Sequence, residues 1–275
     1  MNDHAIGVFD SGLGGLTVLQ ALADLLPHED LIYLGDTARY PYGPKPDEEL
    51  KRYSTQIAEF LVEQGVKMIV IACNSATAAA RDLLRDRFEV PIIGVVEPGV
   101  RAAVKASRTG RVGVIGTQMT ADSRIYERTS DRLRTGLDVT TLACPGFVEL
   151  IEAGDTESER AHDVVRAGLG PLQEHDIDAL VLGCTHYPLL ARTIKDVAGR
   201  HVVLVSSADE TAFEVRSILE RTGWAAHDRT RTGRRTYFTT GDPATFRRLG
   251  QRFLGYELVD VRAHRWEVAG EPATG

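Results

Sequence analysis

The stretch Met68-Ile-Val-Ile-Ala-Cys73-Asn-Ser75 joins an aliphatic run directly to a cysteine and a short polar patch. A second stretch, Ala179-Leu-Val-Leu-Gly-Cys184-Thr-His186, repeats this pattern later in the chain. Short aliphatic runs of this kind are typical of buried parallel strands. Ligands of open α/β sheets bind beyond the carboxyl ends of the strands. The sequence therefore predicts that both thiols lie beside a binding cleft.

Aliphatic runs and amphipathic stretches alternate along most of the chain, which predicts an α/β fold with mainly parallel sheets. The predicted strands cover residues 5–9, 31–34, 68–72, 92–95, 111–115, 139–142, 179–182, 202–205, 236–239 and 258–261. The predicted helices cover residues 16–26, 48–64, 76–88, 100–107, 121–134, 158–174, 189–198, 210–221 and 243–253. Residues 270–275 are predicted to be a frayed tail.

A weak internal repeat suggests that the chain has two similar halves. Gly7-Val-Phe-Asp-Ser11 resembles Gly113-Val-Ile-Gly-Thr117, and each of the two cysteines above is followed eight positions later by an arginine. Two α/β halves facing each other across a cleft would explain these matches. Chance similarity between strand–turn–helix units is the alternative. The predicted first domain comprises residues 1–98 and 208–275, and the second comprises residues 99–207, with the boundary near Glu97-Pro98-Gly99.

The bulk composition excludes several classes of protein. The 275 residues carry a net charge of −7, which argues against a general nucleic-acid or anionic-membrane binder. We expect neither a signal peptide nor a membrane span. The three cysteines do not form the pattern of a disulfide framework, and no C-x-x-C motif indicates a metal site. A cytoplasmic location is expected.

Two segments outside the cysteine motifs have the composition of binding elements. In Asp10-Ser-Gly-Leu-Gly-Gly-Leu-Thr17, the glycines would let backbone N–H groups approach an anion at a helix start. A tight strand-to-helix turn is the alternative for this segment. The loop at residues 35–44 is rich in Tyr, Pro and Gly, which indicates either a binding loop or a surface loop packed by its tyrosines.

A cysteine after an aliphatic run is commonly a small buried apolar residue. Two features favour chemistry at Cys73 and Cys184. Each is followed by hydrogen-bonding side chains, and each is predicted to begin a helix, whose dipole favours a thiolate. His186 could lower the pKa of the neighbouring thiol or carry its proton, although it could also be a simple helix-start residue. Cys144 has no polar followers and is predicted to be structural.

Two carboxylates follow a Pro-Gly turn in Phe147-Val-Glu-Leu-Ile-Glu152. Charged residues on a short helix are commonly solvated, and this is the prediction for Glu149. For Glu152 the solvated and the functional interpretations both stay open.

Taken together, these motifs resemble the glutamate racemases over about residues 5–215. The resemblance rests on the segment from Asp10 to Thr17, on Gly35-Asp36-Thr37 with Tyr42-Gly43, on Cys73-Asn74-Ser75 and on Cys184-Thr185-His186. Ser75 stands where a threonine is expected, but both residues carry a hydroxyl. The resemblance implies two pseudo-symmetric, flavodoxin-like halves with the active site in the cleft between them.

The resemblance also implies a function and a set of roles. It implies cofactor-independent interconversion of L- and D-glutamate, which supplies D-glutamate for peptidoglycan, by a homodimer that needs no metal. Cys73 and Cys184 would be the catalytic bases, assisted by Asp10, His186 and Glu152. The residues that would bind substrate are Asp10, Ser11, Asp36, Tyr42, Gly43, Asn74, Ser75, Thr117, Thr185 and His186. An aspartate or other amino-acid racemase of the same superfamily is the alternative, and a non-catalytic two-lobed binding protein is a more distant one.

Overall fold

A computed structural model describes residues 3–266 and contains two parallel sheets. The first sheet has the order β10-β9-β2-β1-β3-β4, and its strands are β1 (Ile6–Asp10), β2 (Leu31–Gly35), β3 (Met68–Ile71), β4 (Ile92–Gly94), β9 (Arg235–Thr239) and β10 (Val261–Ala263). The second has the order β6-β5-β7-β8, with β5 (Arg111–Gly116), β6 (Asp138–Ala143), β7 (Ala179–Gly183) and β8 (Val203–Val205). The predicted α/β class with parallel sheets is confirmed. The predicted frayed tail, residues 270–275, lies outside the described residues.

Eleven α-helices accompany these strands within residues 3–266. They are α1 (Leu16–Leu25), α2 (Asp47–Glu63), α3 (Asn74–Arg87), α4 (Val96–Ala106), α5 (Gln118–Asp122), α6 (Ile125–Leu133), α7 (Phe147–Ala153), α8 (Glu159–Leu169), α9 (Ala191–Ala198), α10 (Ser207–Thr222) and α11 (Pro243–Leu254). Short 3-10 helices cover Gly170–His175 and Tyr187–Leu190. None of the helices in this part of the chain combines the length and apolar content that crossing a membrane requires.

Three predicted elements differ from the structure for local reasons. The helix predicted at residues 121–134 is interrupted at Arg124, whose φ of 49° lies in the left-handed region. The helix predicted at residues 158–174 changes to a 3-10 helix at Gly170, because the following Pro171 cannot donate a backbone hydrogen bond. The strand predicted at residues 258–261 begins only at Val261. The apolar Leu258, which suggested a strand, belongs to the buried core but lies outside the strand.

The two sheets share one topology. Within each set of four successive strands the spatial order is second-first-third-fourth, as β2-β1-β3-β4 and as β6-β5-β7-β8. Phe9 pairs with Ile71 and Gly116 pairs with Gly183. Continuing these registers places Cys73 level with Ser11 and Cys184 level with Thr117. This shared order favours internal duplication over chance similarity, and the two thiols occupy equivalent positions in the two halves.

The chain connects the halves through two helices. Glu97, Pro98 and Gly99 lie in the first turn of α4, which follows β4 of the first sheet and packs in a core cluster with Val112 and Val181 of the second sheet. The chain returns through α10, whose apolar residues join the core cluster that contains α1. The domain limits stay a prediction.

The halves differ at one edge of the first sheet. Strands β9 and β10 extend this sheet beyond β2, whereas β6 is the edge strand of the second sheet. The loop after β2 runs over residues 36–46, but the corresponding loop after β6 covers only residues 144–146. The long loop therefore packs against structure that has no counterpart in the second sheet.

Candidate active site

A cavity of about 350 Å³ lies beyond the carboxyl ends of both sheets. Its walls come from segments that follow β1, β2 and β3 in the first half and β5, β6 and β7 in the second. The structure brings most of the predicted site residues together around it, namely Ser11, Tyr42, Gly43, Cys73, Asn74, Ser75, Thr117, Glu152, Cys184, Thr185 and His186. Asp10 and Asp36 are not among the lining residues.

Cys73 is the N-cap residue of α3 and is almost fully buried. Its Sγ accepts a hydrogen bond from the backbone N–H of Ala76 at 3.5 Å and lies 3.9 Å from Ser11 Oγ. Burial, followed by the negative charge of Asp10, raises the pKa of Cys73 to about 12. The hydrogen bonds to sulfur oppose this rise but do not offset it. The helix start was expected to favour a thiolate, but at neutral pH this thiol is protonated.

Cys184 follows β7, but no α-helix begins there. The chain makes a turn and then a 3-10 helix from Tyr187 to Leu190, and α9 starts only at Ala191. Pro188 lies in the first turn of this 3-10 helix. Burial raises the pKa of Cys184, and the charge of Asp10 raises it further, as would that of Cys73 if it were ionised.

His186 lies between Cys184 and Glu152. Its Nδ1 is 3.8 Å from Cys184 Sγ, and its Nε2 is 3.8 Å from Glu152 Oε1. Burial lowers the pKa of His186, although the charges of Asp10 and Glu152 oppose this effect. The ring is therefore neutral at pH 7, so it can relay a proton but does not supply the positive charge that would lower the pKa of the thiol.

Asp10 lies behind the cavity wall and joins the two halves. One carboxylate oxygen accepts the N–H of Gly12 at 2.9 Å, and the other accepts Thr185 Oγ1–H at 3.3 Å. The side chain is fully buried. Asp10 is not among the residues that line the cavity, and its contact with substrate stays a prediction. Its charge acts on the thiols, and its hydrogen bond orients Thr185.

The glycines after Asp10 serve close packing. Of the segment from Asp10 to Thr17, only Ser11 lines the cavity. A Cβ atom on Gly14 would lie 2.4 Å from Thr185 Oγ1 and 2.5 Å from His186 Nδ1. The missing side chain lets the turn that carries His186 pack against the first half, which supports the alternative of a tight strand-to-helix turn, and anion binding by this segment stays a prediction.

Asp36 also lies outside the cavity wall, and its role as a direct substrate ligand stays a prediction. Its Oδ2 accepts hydrogen bonds from Tyr42 at 2.5 Å and from Arg39 Nε at 2.7 Å, and its Oδ1 accepts one from Thr240 at 2.9 Å. The hydroxyl of Tyr42 is therefore already used by Asp36.

The polar groups that face the cavity are largely neutral donors. Asn74 accepts a hydrogen bond from Tyr126 at 2.7 Å, and its buried Nδ2 has no hydrogen-bond partner among the described residues. Ser75 Oγ and Thr117 Oγ1, which belong to different halves, lie 2.9 Å apart. The described residues that line the cavity include no lysine or arginine. A carboxylate in this cavity would therefore be held by amide and hydroxyl groups.

Several residues at the site were not predicted from the sequence. Tyr40 lines the cavity with its ring 6.1 Å from that of His186. Burial raises the pKa of Tyr40, as do the charge of Glu152 and a hydrogen bond to it. Glu149 also lines the cavity, so the prediction that it is only solvated was incomplete. The unusual composition of the loop at residues 35–44 was a signal for Tyr40, whereas Tyr126 has no local signal.

Comparison with known proteins places this arrangement in a family. A model of the Asp/Glu/Hydantoin racemase family matches residues 6–214. The chain belongs to this racemase family. The match covers the segments that carry both thiols, and it confirms the resemblance to glutamate racemases inferred from the motifs.

Individual relatives of this racemase are similar over nearly their whole length. A glutamate racemase of Geobacter metallireducens is 50% identical over 257 residues, which cover 94% of this chain and 95% of the relative. The structure of glutamate racemase isoform RacE1 from Bacillus anthracis has a TM-score of 0.91 and 41% identity, covering 96% of this chain and 98% of that one. The structure of glutamate racemase from Francisella tularensis in complex with D-glutamate has a TM-score of 0.89 and 32% identity, with coverage of 96% and 98%.

Proposed function

We propose that this protein interconverts L-glutamate and D-glutamate without a cofactor, and that Cys73 and Cys184 transfer the proton at Cα. The relatives support the choice of substrate, since they are named glutamate racemases at up to 50% identity over almost the full chain. In a cell the product would supply D-glutamate for peptidoglycan.

The observation that carries the two-base mechanism is the equivalent placement of the two thiols. Each follows the third strand of its four-strand unit, and both line one cavity from opposite halves. Inverting a carbon centre requires removal of a proton from one face and return of a proton to the other. One cysteine, as thiolate, takes the α-proton, and the other, as thiol, donates its own proton to the opposite face. The exchange balances, because the two cysteines end with their protonation states reversed.

The raised pKa values favour the protonated form of both buried thiols, and we infer that bound substrate promotes formation of the reactive thiolate. Burial keeps both thiols neutral. An ammonium group beside a thiol stabilises the thiolate and lowers its pKa. Neutral His186, at 3.8 Å from Cys184, can accept the displaced proton and face Glu152 with its other nitrogen. We assign His186 and Glu152 to this relay.

The other site residues would hold and stabilise the substrate. The unpaired Nδ2 of Asn74 can donate to a carboxylate, and so can the hydroxyls of Ser11 and Thr185. As the α-carbon loses its proton, negative charge grows on the adjacent carboxylate, and donors already in place stabilise it. Positioning of Cα between the two sulfurs would supply a further part of the rate enhancement.

Optical rotation of L-glutamate tests the activity directly. Purified protein without pyridoxal phosphate or metal should bring the rotation to zero, and product formed in deuterium oxide should carry solvent deuterium at Cα. Stable rotation would refute the activity. Unlabelled product would refute the proton-transfer route. A panel that includes L-aspartate tests substrate choice.

Cysteine variants test the mechanism, and the chain offers a matched control. Cys73→Ser and Cys184→Ser should each nearly abolish racemisation. Cys144 also lines the cavity, but Cys144→Ser should retain racemisation, because the Cys144 sulfur faces the Gly168 carbonyl at 3.8 Å and a hydroxyl can keep that contact. Full activity in Cys73→Ser or in Cys184→Ser would contradict the two-base scheme.

We further propose a homodimer in a reducing, cytoplasmic compartment. The mechanism requires both thiols in reduced form, and all three cysteines of the structure are free. Analytical ultracentrifugation would test the dimer, and cell fractionation would test the location.

A further inference from the structure

The end of the described chain crosses the long loop that follows β2. After β10, the N–H of His264 donates to the Thr239 carbonyl at 2.8 Å, which continues the pairing with β9. The indole Nε1–H of Trp266 then donates to Asp36 Oδ1 at 3.2 Å. Trp266, which is distant in sequence from the other residues around the cavity, thus contacts the Asp36 carboxylate that organises the loop at residues 36–46.

Trp266 also holds Arg39 in place. The guanidinium carbon of Arg39 lies 4.4 Å from the centre of the Trp266 ring and 4.1 Å from that of Tyr53, so it contacts both rings. Arg39 donates to Asp36 Oδ2 at 2.7 Å and to Gln56 Oε1 at 2.6 Å. Trp266 therefore constrains Asp36 directly and through Arg39.

Asp36 transmits this constraint to the cavity wall. It accepts the hydroxyl of Tyr42 at 2.5 Å, and Tyr42 is buried and lines the cavity. The carbonyl of the next residue, Gly43, accepts the N–H of Met119 in the second half at 3.1 Å. The wall formed by Tyr42 and Gly43 is thus held by two hydrogen bonds, one from Tyr42 to Asp36 and one from Met119 of the other half to Gly43.

We propose that Trp266 is a positioning residue for glutamate binding, which acts through Asp36 on the cavity wall formed by Tyr42 and Gly43. The inference rests on the proposed function. The asymmetry of the halves explains the need for such a residue, because the loop after β6 is only three residues long, whereas the loop at residues 36–46 is long and must be held. The loop at residues 36–46 is supported by β9, β10 and Trp266.

The test compares two Trp→Phe variants, since the chain has two tryptophans. Trp266→Phe keeps a ring over Arg39 but removes the indole N–H. Trp224→Phe is the control, because Trp224 packs against the core cluster around α1 and α10, away from the loop. Loss of one hydrogen bond to a carboxylate that keeps its other donors should raise KM for glutamate about threefold to tenfold, with kcat within about twofold. Trp224→Phe should leave both constants unchanged.

A binding measurement separates positioning from general damage. Equilibrium dialysis against racemic glutamate involves no net turnover, and Kd for Trp266→Phe should rise by the same factor as KM. Trp266→His retains a ring N–H and should recover most of the affinity. Equal Kd values in Trp266→Phe and Trp224→Phe would overturn the proposal, as would a loss of kcat and thermal stability without a change in Kd. If the unsubstituted protein racemises no glutamate, the proposed function itself fails, which is a different result.

Discussion

Replacing Gly14 with alanine would test whether close packing of the two halves sets the catalytic geometry. Gly14 belongs to the turn after β1, whereas its neighbours Thr185 and His186 belong to the turn after β7. The added methyl group would lie 2.4 Å from Thr185 Oγ1, although ordinary contacts begin near 3.4 Å. About 1.0 Å of displacement is therefore required between these two turns.

The surrounding residues leave little room for a local adjustment. Thr185 and His186 are buried, and each is tied to another site residue, Thr185 to Asp10 and His186 to Cys184. A methyl group on Gly14 should therefore move the Cys184 turn relative to Cys73. Misplacement of reacting groups by about 1 Å can cost about 100-fold in rate, which corresponds to about 2.7 kcal/mol. We expect kcat/KM of Gly14→Ala to fall by about that factor.

The assay is racemisation in both directions, followed by circular dichroism, with thermal unfolding measured in parallel. Gly170→Ala is the control, because a Cβ there meets no atom within 4 Å. Its kcat/KM should match that of the unsubstituted protein, whereas its thermal stability should fall somewhat, because the following Pro171 disfavours α conformation in an alanine at this position. A kcat/KM for Gly14→Ala within about threefold of the unsubstituted value would refute the argument that this contact sets the geometry.

Three further substitutions test other parts of the structure. Asp10→Asn removes a charge that raises the pKa of Cys73, so the rise of kcat/KM with pH should begin at lower pH; an unshifted profile would contradict this reasoning. Tyr126→Phe removes the hydroxyl that holds Asn74, and initial rates should show KM about threefold to tenfold higher. Lys67→Met leaves the buried Glu29 carboxylate without its cation, so the free energy of unfolding in urea should fall by about 3–5 kcal/mol.

Much of the fold was predictable because buried parallel strands carry a strong sequence signal. The aliphatic runs before Cys73 and Cys184 are buried along their whole length as β3 and β7, so side chains on both faces must be apolar. The position of each thiol at a strand end followed from that assignment. The prediction that both thiols line one cavity then followed from the interpretation of the chain as two similar halves. The shared strand order supports that interpretation.

The layer behind the cavity wall was not predictable in this way. Asp10 and Asp36 lie in motifs that indicate function, but a motif does not show whether a carboxylate faces the cavity or holds a neighbour. That distinction depends on Thr185 for Asp10 and on Arg39 and Trp266 for Asp36, which are partners distant in sequence or in the other half. The contribution of Tyr126 likewise exists only once α6 packs against the start of α3.

The combination of similar topology and different walls fits the demands of the proposed reaction. Proton transfer to opposite faces of one carbon requires two acid–base groups in opposed positions, and duplicated halves supply them at the ends of β3 and β7. The substrate itself is not symmetric, because its carboxylate, ammonium and side chain occupy different directions around Cα. A symmetric cavity would hold it equally well in several orientations. The long loop that Trp266 contacts lies on one side, and His186 with Glu152 lies on the other, so the walls are unequal. We expect this inequality to restrict that choice to orientations that place Cα between the thiols.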